Sequence, residues 1–225
     1  MKHKVFISNT SKPYEDMFLE NNFEIVSNYK EANLVQFTGG PDVSPYYYQE
    51  VPHSETKTDA VRDKYEESLY NNCHSNHIPM VGICRGAQFL TVMNNGKLWQ
   101  NVDGHNTGQH DLINSETKKI ICKVSSTHHQ MMRPFNGLVI AVANEATFLE
   151  DYRDKYGCTL IDHSDIEVVY FKKSRSLCFQ PHPEFEEYKE CRKYYFSLIF
   201  RYLLRDKTKY NKYMTTHNSI KNINF

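Results

Sequence analysis

No apolar run in this chain approaches the ~18–20 residues of a membrane-spanning helix, which argues against a membrane protein of that kind. The basic start Met1-Lys2-His3-Lys4 leads into only Val5-Phe6-Ile7, too short for the core of a secretory signal. The expected location is therefore cytoplasmic. Excess charge is also missing: Lys+Arg and Asp+Glu are each 27. A general nucleic-acid binder or a polybasic membrane-surface protein needs surplus positive charge, so neither is expected. The six cysteines, at 73, 84, 122, 158, 178 and 191, contain no CxxC pair. That spacing speaks against a disulfide framework and against a four-cysteine zinc site. There is no GxxxxGK[ST] phosphate loop, so activation of a substrate with ATP by this chain is not expected. Neither an internal repeat nor an interdomain linker interrupts the 225 residues, a length at which one domain buries about 70% of its unfolded surface.

What is present reads as a globular α/β chain, 40% hydrophobic and 24% charged. Short strands are predicted at residues 4–8, 23–26 and 33–37, with a helix over 13–22. Strands alternating with short helices point to parallel βαβ units. A helix is predicted over 59–72, with Val61, Tyr65 and Leu69 on its apolar face. A strand over 79–83 runs into a helix over 86–93 that stops at Asn94-Asn95-Gly96. Further strands are expected at 138–143, 167–171 and 176–180, the last two as a hairpin. A long amphipathic helix over 186–204 places Tyr188, Cys191, Tyr195, Leu198, Ile199 and Leu203 on one face. The division is one catalytic domain over 1–205 and a polar tail over 206–225, frayed or lying on the surface, with 145–163 an inserted excursion.

Chemistry concentrates at Gly82-Ile83-Cys84-Arg85-Gly86. The spacing G-x-C-x-G between an apolar strand and an apolar helix matches a nucleophile elbow. There a side chain stands at a sharp turn, and the flanking glycines leave room for backbone contacts that no Cβ would allow. The helix N-terminus favours a thiolate. The bland alternative is a tight turn around a buried thiol. A cysteine nucleophile needs a base and a group to orient it. In Gln180-Pro181-His182-Pro183-Glu184, Pro183 holds His182 extended and puts His182 and Glu184 on one face. Glu184 can then accept from one imidazole nitrogen while the other faces the thiol. The N–H of Arg85 is one oxyanion donor, and Gly39-Gly40 at the end of another strand can bring a second.

Other features read more plainly. Cys73-His74-x-x-His77 offers three ligands at a helix end with no partner cluster, so no metal is expected. His105 and His110 flank Gly108 in a predicted loop and read as solvated, with substrate contact as the alternative. Tyr46-Tyr47-Tyr48 is either an aromatic pocket wall or loop packing.

Taken in order, Gly39-Gly40, Gly82-Ile83-Cys84-Arg85-Gly86-Ala87-Gln88 and Gln180-Pro181-His182-Pro183-Glu184 resemble the class I glutamine amidotransferase family. The free-standing γ-glutamyl hydrolase branch (C26 peptidases, including γ-glutamyl-γ-aminobutyrate hydrolases) is most similar. Gly39-Gly40-Pro41-Asp42-Val43-Ser44-Pro45 with Tyr48 resembles its GGxDVxPxxY signature. Arg62-Asp63 with Glu66 resembles RDxxE, Gly96-Lys97-Leu98-Trp99-Gln100 resembles GGxLxQ, and His128-His129-Gln130 matches HHQ. The stretch before Gly39 is short for that branch, which suggests that one βα unit is pared down.

The resemblance implies a flavodoxin-like three-layer α/β sandwich with a mostly parallel central sheet. It implies a Cys84–His182–Glu184 triad, an oxyanion hole at Gly40 and Arg85, and substrate contacts from Gly39, Gln88 and His129. It implies hydrolysis of a γ-glutamyl amide without a cofactor or a metal. The partner is then a small-molecule γ-glutamyl substrate, and the leaving amine stays unnamed. Arg85's side chain is expected to pair with Asp63 or Glu66, with contact to the substrate as the alternative. An ammonia-delivering subunit beside a separate synthase is the second reading, and a non-catalytic scaffold the third. A homo-oligomer is left open.

Overall fold

A computed structural model describes residues 2–102, 104–106, 108–144 and 165–214. The excursion expected at 145–163 and Cys158 lie outside the described residues. A nine-stranded sheet organises the rest, in the order β2-β1-β3-β4-β11-β10-β9-β6-β7. Its first half is parallel: β2 (Phe23–Ile25), β1 (His3–Ile7), β3 (Leu34–Phe37), β4 (Met80–Ile83) and β11 (Ser176–Phe179). The hairpin partner β10 (Ile166–Phe171) begins an antiparallel extension through β9 (Leu138–Ala143), β6 (Gly108–Asn114) and β7 (Ile120–Ser126). A small ribbon pairs β5 (Lys97–Trp99) with β8 (Met131–Arg133).

Burial explains the order. Strands β3, β4 and β11 are buried along their whole length, as expected of parallel strands covered on both faces. One face is covered by α1 (Lys12–Glu20), α4 (Lys189–Leu198) and the π-helical turn Ile199–Leu203, through Met17, Phe18, Tyr195 and Phe200. The other carries α2 (Ala60–Ser75) and α3 (Arg85–Met93), through Leu69, Cys73, Phe89 and Leu90. The connection from β2 to β3 has shrunk to the single 3₁₀ turn Tyr29–Glu31, which is the pared-down unit anticipated from the sequence.

One expectation is corrected. In α2, Leu69 is buried but Val61 is 81% exposed and Tyr65 47%. The inward face carries Arg62, Asp63 and Glu66 instead, because their charges meet one another and Arg85 inside the fold. Within the stretch that follows residue 205, the described residues form one further element. Lys207–Met214 forms α5, Tyr210 is buried, and the Tyr213 ring stacks on Phe200 at 5.5 Å. Two aromatics at i and i+3 give this polar stretch an apolar face.

Candidate active site

Strands β3, β4 and β11 are parallel neighbours, so the segments leaving them emerge at one edge of the sheet. Gly39-Gly40 follows β3, Cys84 follows β4, and Gln180–Glu184 follows β11. The carboxyl edge of a parallel sheet is where such folds gather chemistry.

Cys84 turns the chain from strand to helix at φ +50° and ψ −113°, a left-handed conformation that L-residues rarely adopt. The glycines that frame it are sterically required. A Cβ on Gly82 would stand 2.3 Å from the carbonyl oxygen of Gly86, and one on Gly86 would stand 2.3 Å from that of Phe37. The thiol sits at the N-terminus of α3, whose first N–H groups, Arg85 included, have no partner one turn earlier.

His182 and Glu184 meet as the sequence predicts: Nδ1 lies 2.6 Å from Oε1. The ring stacks on Phe185, and the backbone N–H of His182 donates to Ser125 Oγ at 2.8 Å. Burial would push the imidazole down. The Cys84 sulfur and the Glu184 carboxylate outweigh it and raise His182 to about 10. An imidazolium beside a thiolate is the pairing that nucleophilic cysteine chemistry uses.

Gly39 lies between these groups. A Cβ there would come within 3.1 Å of His182 Cε1, 3.2 Å of Tyr14 Oη and 3.7 Å of Cys84 Cβ. Its N–H donates to Tyr14 Oη at 2.9 Å. Gly40 has φ +143°, and Arg62 Nη1 occupies the space where a Cβ would go. Arg62 fastens this turn from α2, donating to the carbonyls of Gly39 at 2.9 Å and Thr38 at 2.8 Å.

Arg85 points its side chain away from the thiol. The guanidinium is buried, donates to both Asp63 and Glu66, and lies over the Phe89 ring at 5.0 Å. Burial lowers it to about 10, opposed by Asp63. Gln88, one turn along α3, donates to the Gln130 carbonyl at 3.0 Å and to Gln180 Oε1 at 3.3 Å. His129 is partly exposed on the rim, with Nε2 3.0 Å from Asp42 Oδ1. Of the three tyrosines, Tyr48 is packed in the core while Tyr46 is fully exposed.

Sequence reasoning missed three residues here. Tyr14 contacts Gly39 from α1, and Arg62 clamps the turn. Arg192 on α4 donates to the carbonyls of Pro183 at 2.9 Å and Glu184 at 3.1 Å. None of the three had a local signal beyond the RDxxE match at Arg62. The solvated reading of His105 and His110 is corrected. His105 is 2% exposed, held by Asp165 at 3.0 Å, and His110 is nearly as buried beside Glu167. Pairing of β6 with β7 and β9 encloses what looked like an open loop.

Fold and edge together place the chain in the class I glutamine amidotransferase-like fold. It belongs to the Peptidase C26 family, whose sequence profile matches residues 19–148. That span contains Gly39-Gly40, Cys84 and the HHQ segment, while His182 and Glu184 lie beyond it. The chain is 30% identical to a putative glutamine amidotransferase-like protein of Lactococcus lactis, YvdE, over 72% of this chain and 70% of that protein. Among solved structures, it superposes on a putative GMP synthase subunit from Thermoplasma acidophilum with TM-score 0.61 and 14% identity, covering 96% and 98% of the two chains. A glutamine amidotransferase of Thermotoga maritima gives TM-score 0.58 at 14% identity, covering 96% and 94%.

Proposed function

We propose that the protein is a thiol hydrolase that cleaves the γ-glutamyl amide bond of a γ-glutamyl conjugate or of glutamine and releases glutamate. The observation that carries this reading is the positive-φ Cys84 elbow beside a His182–Glu184 pair in the segment that follows the adjacent strand. Membership of a peptidase family and similarity to a glutamine amidotransferase-like protein support the reaction class.

The Cys84 thiolate attacks the γ-carbonyl carbon. The N–H groups of Gly40 and Arg85 receive the developing oxyanion. The His182 imidazolium gives its proton to the leaving amine, and a γ-glutamyl thioester remains on Cys84. His182, now neutral, takes a proton from water, and the hydroxide displaces the thiolate to release glutamate. Glu184 keeps the imidazole oriented and its charge compensated throughout. Gly39, Gln88 and His129 border the space the glutamyl group would occupy.

Purified protein should release glutamate from γ-glutamyl amines unaided, and Cys84→Ala should abolish that release. Turnover that persists in Cys84→Ala would refute the mechanism. Weak solitary activity that rises when a synthase is added would favour an ammonia-delivering subunit instead.

A further inference from the structure

Away from the Cys84 elbow, three histidines converge on one carboxylate oxygen of Glu167. Glu167 on β10 is completely buried, and among the described residues neither of its oxygens has a hydrogen-bond partner. Its Oε1 stands 3.6 Å from His105 Nδ1, 3.6 Å from His110 Nε2 and 3.6 Å from His128 Nε2. These separations are too long for hydrogen bonds. They are close to the edge of a coordination tetrahedron, about 3.4 Å for donors held about 2.1 Å from a common ion. The donor atoms of His105, His128 and Glu167 all lie within 4.8 Å of one another.

The outer contacts orient the rings toward that centre. His128 Nδ1 lies 3.0 Å from the Gln130 carbonyl, which can only accept, so the proton is on Nδ1 and the Nε2 lone pair faces Glu167. His105 Nε2 lies 3.0 Å from Asp165 Oδ2, which places a proton there and leaves Nδ1 as the inner nitrogen. Ser126 Oγ gives its proton to the His105 carbonyl at 2.9 Å and stands as an acceptor 3.3 Å from the same Nδ1, so an ion binding there displaces any Nδ1 proton shared with that hydroxyl. A carboxylate or carbonyl on the far nitrogen of each histidine is the usual outer arrangement around a bound metal.

We propose that His105 Nδ1, His128 Nε2 and Glu167 Oε1 bind one divalent transition-metal ion of the zinc class, with solvent completing its coordination. Imidazoles with a single carboxylate suit zinc and cobalt, whereas calcium and magnesium need more oxygen donors. The ion would tie β10 to the segments at 105 and 128. Its outer contacts reach the candidate active site. The Gln130 carbonyl also accepts from Gln88, and the Gln180 N–H donates to the Glu167 carbonyl at 2.8 Å.

The test is metal binding, read independently of any activity. Chelator-treated wild-type protein and Cys84→Ala, which removes the active-site thiol as a competing ligand, are titrated with Zn²⁺ and with Co²⁺. Both should take up one ion per chain, with a higher Tm. The Co²⁺ form should show tetrahedral ligand-field bands and no sulfur charge-transfer band. Glu167→Gln should lose the ion. Asp165→Asn, which keeps all the inner donors, should bind it roughly 10–100-fold more weakly and serves if Glu167→Gln does not fold. No uptake by wild-type protein, uptake that disappears in Cys84→Ala, or unchanged affinity in Asp165→Asn and Glu167→Gln would overturn the proposal. The first of these results would identify the cluster as a network of shared protons.

Discussion

Nδ1 of His182 and Oε1 of Glu184 are 2.6 Å apart, two residues apart in the chain, with Pro183 between them. The pairing needs no long-range contact to form, but the charged imidazole is favoured by the neighbouring Cys84. His182 is raised to about 10, against burial, by the thiol sulfur and by Glu184. A raised value means that the imidazolium persists through neutral pH and is lost only as pH climbs through about 10. Under the proposed mechanism, kcat/KM should therefore fall on the alkaline side near that value. Glu184→Gln removes one source of the rise. It should lower kcat/KM by roughly 10²–10⁴-fold and move the alkaline limb to lower pH. A pH–rate profile checks both, and an unshifted limb would separate Glu184 from the imidazole.

Glycine substitutions should divide by what the new Cβ meets. Gly86→Ala places it against the Phe37 backbone at 2.3 Å, which cannot yield. Its cost should lie at the top of the roughly 1–3 kcal/mol range of overpacking or beyond. Gly39→Ala meets His182 Cε1 at 3.1 Å and should depress kcat with a smaller loss of stability. Urea denaturation beside steady-state kinetics distinguishes them.

Arg85 is paired with Asp63 and Glu66 in the interior, so Arg85→Met leaves two buried carboxylates without it. Loss of one partner of such a cluster costs about 3–5 kcal/mol. The expected result is a lower urea midpoint with KM for substrate little changed in the folded fraction. A selective rise in KM with stability intact would instead place the guanidinium on the substrate.

The corrected face of α2 gives a further check. Val61→Gln should change stability by no more than about 0.5 kcal/mol, whereas Leu69→Ala should cost roughly 2–5 kcal/mol. Chemical denaturation of the two variants tests which side of the helix is packed.

These outcomes reflect what the sequence could reveal. The elbow at Cys84 was legible because its glycines are forced by local geometry, and the His182–Glu184 pair because Pro183 fixes it over three residues. The parallel half of the sheet was legible from short strands alternating with short helices. The inward face of α2 was not, because Arg62, Asp63 and Glu66 become tolerable inside only when Arg85, from the following helix, arrives between them. His105 and His110 looked like loop residues because the partners that bury them, Asp165 and Glu167, lie on a strand far along the chain. Tyr14 and Arg192 act at the site through contacts that sequence spacing does not encode.

The central claim is that Cys84 is the nucleophile toward a γ-glutamyl carbonyl. The most direct measurement is peptide mass spectrometry after exposure to 6-diazo-5-oxo-norleucine, a glutamine-like electrophile. The account predicts a single adduct on the Cys84 peptide of the wild-type protein, none in Cys84→Ala, and slower labelling in His182→Ala. An unlabelled Cys84, or an adduct of equal yield in Cys84→Ala, would contradict it.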